Sequence, residues 1–108
     1  MDQKTLRLYK AKAEVIAAAG HPIRLAIIDF LKDGEQCVCD IARFVGAQRS
    51  NVSRHLAVLL RAGLLEQRKE GLKMFYRLKT PCVVNFLDCV TNVLREQLRA
   101  SNAVLAKL

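Results

Sequence analysis

No stretch of the sequence approaches the roughly 18 consecutive apolar residues that a membrane span needs. The first residues, Met1-Asp2-Gln3-Lys4, do not begin an apolar segment of signal-peptide type. A cytoplasmic protein without membrane attachment is the expectation. Repeats, low-complexity stretches and linkers are also missing, so the 108 residues are read as one domain, 1–108, with a single core. Histidine is scarce. His21 stands beside Pro22 at a helix start, where capping or packing suits it, and His55 lies in a polar helix segment. Neither has a Ser, Cys or Asp arrangement around it that separates into nucleophile, base and orienting group, so the sequence argues against an enzyme.

Acidic residues are few as well, 10 against 18 Lys plus Arg, which leaves a net charge of +8 and a pI near 9.7. With 52% hydrophobic residues the chain is globular, and its charge calls for a polyanionic partner. The excess is local. Residues 43 to 79 carry nine basic groups against Glu66 and Glu70, residues 1 to 42 sum to zero, and residues 80 to 108 carry a single net positive charge.

Apolar spacing sets out the elements. Leu6, Tyr9, Ala13 and Ile16 mark a first helix ending at Gly20. Pro22 opens a second, with Ile23, Ala26, Ile27, Phe30 and Leu31 on one face and Asp33-Gly34 as its stop. Val38, Ile41, Ala42 and Val45 give a third, closed by Gly46; Val52, Leu56, Leu59 and Leu60 give a fourth, closed by Ala62-Gly63. The period then changes to two strands, 64 to 69 and 73 to 78, around Glu70-Gly71. Thr80-Pro81 reads as cap and first-turn proline of a last helix running to about Ala106, with Val83, Leu87, Val90 and Leu94 on one stripe. Four helices, a hairpin and a long helix make a mainly α winged helix-turn-helix with a small β-hairpin.

Gly46-Ala47-Gln48 is the tight Gly-containing connection that a helix-turn-helix needs. The helix after it opens with Arg49, Ser50, Asn51, Ser53, Arg54 and His55, a polar cluster suited to base edges and phosphates in a major groove. Arg68, Lys69 and Lys73 flank the hairpin tip and are expected on the neighbouring phosphates. Double-stranded DNA is the partner this pattern calls for. One reading helix has limited specificity, and the first and last helices carry more apolar surface than a small core absorbs, so they are expected to join a homodimer across a palindrome.

Four cysteines complete the inventory: Cys37, Cys39, Cys82 and Cys89. Residues i and i+2 of a helix point about 200° apart, so Cys37 and Cys39 converge on one ion only where the chain is half extended, as at a helix start. The pair lies at such a start, where the thiolate is also favoured. Cys82 follows Pro81 and Cys89 sits two turns further on the same face; each also fits an apolar stripe as a small hydrophobe. A four-cysteine zinc knuckle is disfavoured, because it wants C-x2-C pairs and the chain has C-x-C with a distant C-x6-C.

Gly20-His21-Pro22-Ile23-Arg24-Leu25, Cys37-Val38-Cys39-Asp40-Ile41, Val52-Ser53-Arg54-His55-Leu56, Ala62-Gly63-Leu64-Leu65 and Tyr76-Arg77-Leu78 together resemble the arsenic- and metal-responsive repressors of the ArsR/SmtB family. The resemblance runs over almost the whole chain. It implies a homodimeric winged-helix repressor that occupies an operator when free and leaves it when an inducer binds. In the arsenic- and cadmium-sensing branches the C-V-C-D box supplies two sulfur ligands, which here fall on Cys37 and Cys39. The arsenic-type third cysteine is replaced by Ala42, residues 1 to 36 hold no cysteine for a cadmium-type site, and Asp88 is not followed by the histidine of a zinc-type site. A third sulfur then has to come from Cys82 or Cys89, in the same or the partner subunit. Three thiolates suit As(III) or Sb(III); four would admit Cd(II), Pb(II) or zinc. The competing expectation is a redox or persulfide sensor of the same fold, pairing Cys37 or Cys39 with Cys89.

Overall fold

The helices and hairpin appear in the expected order, with one strand added. The computed structural model describes residues 1–108 as α1 (Gln3–Ala19), α2 (Pro22–Leu31), β1 (Gln36–Cys37), α3 (Val38–Val45), α4 (Arg49–Arg61), β2 (Leu65–Glu70), β3 (Lys73–Leu78) and α5 (Cys82–Ala106). Local chemistry accounts for most boundaries. The Asp2 carboxylate accepts the Thr5 N–H at 2.7 Å ahead of α1. His21 caps α2 by accepting the Ile23 N–H on Nδ1 at 3.1 Å, with Pro22 in the first turn behind it. Gly46 ends α3 in the left-handed region at φ 69°, which turns the chain sharply into α4.

The sheet is three-stranded and antiparallel in the order β1-β3-β2, where the sequence pattern called only for a hairpin. Gln36 lies opposite Tyr76 and Cys37 opposite Phe75. A strand of two residues has no periodicity to read, so nothing in the sequence marks it. The hairpin turn is also displaced by one residue from the Glu70-Gly71 expected. Glu70 pairs with Lys73, leaving Gly71 and Leu72 as the loop, and Gly71 at φ 60° supplies the positive angle that a type II′ turn needs at its first central position. The expected Thr80 cap is not made. Pro81 stands at the cap position of α5, and the Thr80 hydroxyl instead donates to the Gly63 carbonyl at 3.5 Å.

One core holds the central elements. Ile27, Ile28 and Leu31 of α2, Ile41 of α3 and Val52, Leu56 and Leu59 of α4 are essentially sealed from solvent, and Leu65, Tyr76 and Leu78 close the group from the sheet. The terminal helices stay largely outside it. Of α1 only Ala18 and Ala19 are buried, and α5 has no buried residue, although Val83, Val84 and Leu87 lean on the core. The radius of gyration is accordingly 17.3 Å, against about 13 Å for a compact chain of this length.

Truncating Leu56 to alanine removes a fully buried side chain from the inner face of α4 and is expected to cost about 2–5 kcal/mol. Urea denaturation at one fixed protein concentration measures it.

Candidate nucleic-acid interface and thiol site

With Val52, Leu56 and Leu59 turned into the core, the opposite face of α4 is left to solvent. Arg49, Ser50, Ser53 and Arg54 are exposed there and Asn51 is half-buried. The Arg54 guanidinium donates to the Asn51 side-chain oxygen at 3.3 Å, so two of the groups suited to base edges are oriented by each other. Gln48 at the cap position makes no side-chain bond to the first turn. The free N–H groups of that turn, the positive end of the helix dipole and Arg49 together suit a phosphate oxygen.

His55 was expected on this face, and the structure places it elsewhere. It is half-buried, its Nδ1 accepts from Arg24 Nε at 3.1 Å, and its ring lies 4.5 Å from that of His21. The reason is helical phase: His55 lies one position before the buried Leu56 and so turns toward α2.

The wing shows a second difference. Arg68 was expected on phosphate, yet it is engaged within the protein. Its Nε and Nη2 donate to the Glu35 carboxylate at 2.6 to 3.0 Å, its Nη1 reaches Glu70 at 3.0 Å, and the guanidinium lies 4.7 Å from the centre of the Phe75 ring. The pair holds the Glu35 carboxyl below its ordinary range, the hydrogen bond from Arg68 being the main cause, and Glu35 with Glu70 raises the arginine in turn. Arg77 is likewise paired with Glu66, its neighbour across the ladder. Glu35 carries no signal of this role in the sequence, because the contact spans 33 positions. Lys69 and Lys73 are exposed, with no acidic group in ion-pair range, and fit the expected phosphate contacts. Leu72 stands fully exposed at the tip between them.

Cys37 and Cys39 lie on either side of Val38 at the start of α3. Cys37 is the cap residue, extended at φ −80°, ψ 158°, while Cys39 is already helical, so the half-extended geometry expected of the pair is present. Both are free thiols, Cys37 buried and Cys39 half-buried; Cys82 and Cys89 are free and exposed on α5. No group of three or more Cys, His, Asp or Glu side chains comes together within the single chain. The four cysteines are therefore not assembled as one cluster by this fold alone.

Phosphate contacts contribute to the salt dependence of DNA affinity at close to one unit of slope each. Lys69→Ala and Lys73→Ala should each flatten the log Kd against log salt plot by about one unit. Arg68→Ala should change it little. The double variant Glu35→Ala/Glu70→Ala, which removes both carboxylate partners of Arg68, should tighten binding and steepen the slope; fluorescence anisotropy across a salt series reads all four variants.

The family model described as "Bacterial regulatory protein, arsR family" matches residues 21–67, the segment from the α2 cap into β2. An uncharacterised HTH-type transcriptional regulator of Mycobacterium tuberculosis is 35% identical over 102 residues, 94% of this chain and 90% of its own length. An arsenical resistance operon repressor of Staphylococcus xylosus is 32% identical over 82 residues, 76% of this chain and 75% of its own. Among solved structures, the homodimeric winged helix-turn-helix DNA-binding domain of a Mycobacterium bovis regulator superposes with a TM-score of 0.79 at 31% identity, covering 93% of each chain. The helix order, the reading helix, the wing and these likenesses agree: the chain is a winged helix-turn-helix transcriptional regulator and belongs to the ArsR family.

Proposed function

We propose that the protein is a homodimeric repressor that holds a palindromic operator and is released by a thiophilic inducer, As(III) or Sb(III), bound through Cys37 and Cys39. The observation that carries the DNA half is the exposed face formed by the first turns of α4 and the lysines of the wing, which has basic and amide groups, while Glu70, the exposed carboxylate of the wing, is paired with Arg68 and leaves Lys69 and Lys73 outside any ion pair. The dimer is supported by the apolar surface left outside the core: Leu6, Tyr9 and Ile16 on α1 and Phe86, Val90, Val93, Leu94 and Leu98 on α5 are all exposed in the single chain. A homodimeric relative of the same fold supports it further.

The inducer half rests on the C-x-C pair at an extended helix start. Arsenite, As(OH)3, condenses with three cysteine thiols: three As–O bonds break, three As–S bonds form, and each thiol proton leaves with a hydroxyl as water, so arsenic stays trivalent and no oxidant or reductant is required. Cys37 and Cys39 supply two sulfurs, and the third is drawn from Cys82 or Cys89 of either subunit. The likeness to an arsenical resistance repressor is in keeping with this choice of ion. Burial gives the binding step its consequence. Cys37 is opposite Phe75 in the β1–β3 ladder, so drawing its thiol toward a metalloid disturbs β1, the start of α3 and the ring beneath Arg68. The first helix of the reading motif and the wing are perturbed at once.

In a gel-shift titration, arsenite should release wild-type protein from its operator, and Cys37→Ser or Cys39→Ser should stay bound at concentrations that release the wild type. Serine at Cys82 or Cys89 identifies the third ligand. Release by peroxide or tetrasulfide with a specific cysteine crosslink, and none by arsenite, would favour the redox reading instead.

A further inference from the structure

α1 is fastened to the body by its last turn alone, where Ala18 and Ala19 are buried, and that turn has no basic residue of its own. Arg24, in the first turns of α2, supplies the charge. Its Nη1 donates to the Ala18 carbonyl at 3.2 Å while its Nε donates to His55 Nδ1 at 3.1 Å. One guanidinium thus joins the C-terminal end of α1, the start of α2 and the reading helix, and it meets a helix C-terminus whose dipole favours a cation.

We propose that Arg24 and His55 form the joint that sets the angle of the reading helix to α1, and that His55 serves DNA binding by positioning α4 rather than by touching the duplex. Its consequence for operator spacing rests on the dimer proposed above. If α1 belongs to the dimer arms, the angle held by this joint decides where the two reading helices sit, and a palindrome requires them about one helical turn, roughly 34 Å, apart. Within one chain the joint also fixes the tilt of α4 against α2, whatever the assembly.

The hydrogen bonds define the protonation state the joint needs. His55 Nδ1 is an acceptor for Arg24, so the neutral ring carries its proton on Nε2; a protonated ring has two N–H donors and no acceptor. The charged or titratable groups that act on it are His21 and Arg24 at the start of α2 and Arg54 on α4; α1, α3 and β2, which also pack on α4, add none. None of the three is acidic. Desolvation first, and then these neighbours, lower the His55 value from its ordinary 6.5, so the ring is neutral at pH 7. Protonation removes the acceptor and sets a second cation against Arg24. The sign is diagnostic: a His55 that touched phosphate would bind DNA more tightly as it gained charge, whereas a joint that needs the neutral ring binds less tightly.

The test uses the full chain and a fluorescent duplex selected by the wild-type protein from a random-sequence pool, with anisotropy read from pH 8 to 5 at constant ionic strength. Sedimentation velocity and circular dichroism are run on the same samples. Wild-type affinity should fall about tenfold on acidification, the factor expected for losing one hydrogen bond to a charged group. His55→Asn keeps an acceptor at the same branch of the side chain and should bind like wild type at pH 7.5 while losing most of that pH dependence. Arg24→Gln should already bind about tenfold more weakly at pH 7.5 with its helix content unchanged; should that variant fail to fold, Arg24→Lys and the pH profile of His55→Asn still decide. Wild-type affinity that rises on acidification, and does not in His55→Asn, would place the ring on DNA and overturn the joint. So would an Arg24→Gln protein that folds and binds as tightly as wild type, or dissociation to monomers over the same pH range as the affinity loss. A wild-type protein that is already monomeric at pH 7.5 overturns the dimer reading instead, and the Arg24 and His55 comparisons then judge the joint within one chain.

Discussion

Burial of Val52, Leu56 and Leu59 against Ile27, Ile28, Leu31 and Ile41 is the constraint from which the rest of the molecule takes its orientation. Each of these side chains contributes about 1.5–3 kcal/mol by leaving water, and together they leave α4 no freedom to rotate about its axis. That single restriction turns Arg49, Ser50, Ser53 and Arg54 outward and His55 toward α2. The exposed polar and basic face of α4 is therefore a by-product of packing on the far side of the same helix. Gly46 contributes by bringing α3 and α4 together over a short turn, so Ile41 and Val52 share one core.

The charge distribution along the chain acquires a different meaning once its partners are visible. Residues 43 to 79 hold almost all of the net positive charge, but Arg68 and Arg77 are committed to Glu35, Glu70 and Glu66. Arg43 is paired with Asp40 as well, which leaves Arg49, Arg54, Arg61, Lys69, Lys73 and Lys79 outside any ion pair, four of them at the start of α4 and on the wing. The committed arginines act on shape: Arg68 clasps the segment before β1 to the wing through Glu35 and lies over Phe75, and Phe75 pairs with Cys37. The neutral N-terminal part of the chain is in this way mechanically attached to the basic part.

The terminal helices stand in contrast to the centre. A 25-residue helix with no buried residue and a 17-residue helix buried only at its end are costly to leave in water, and their exposed Leu, Val, Phe and Tyr side chains give a second copy a surface to cover. Beside the buried Ala19, the link between the end of α1 and the reading helix is polar and small, the two hydrogen bonds of Arg24. A contact of that size can be opened by one proton, whereas the apolar core beneath α4 cannot.

Helix order, the hairpin, the reading helix and the cysteine box were legible in the linear chain, because each is written in local spacing: apolar residues at 3 and 4, alternation from Lys73 to Leu78, Gly at Gly46, Pro at Pro22. Folding alone revealed β1, the Glu35–Arg68 clasp and the Arg24–His55 joint, since these depend on residues more than 30 positions apart or on a strand too short to show a period. His55 and Arg68 illustrate the difference. Their residue types suit DNA equally well; the rotation of α4 in its core turned His55 toward Arg24, and the carboxylates that folding brings beside the wing paired Arg68 at the surface. The amino-acid order was sufficient to say that this protein reads DNA; the packing decided which of its basic and imidazole groups stay exposed and unpaired, because it alone brings Arg24 to His55 and Glu35 to Arg68.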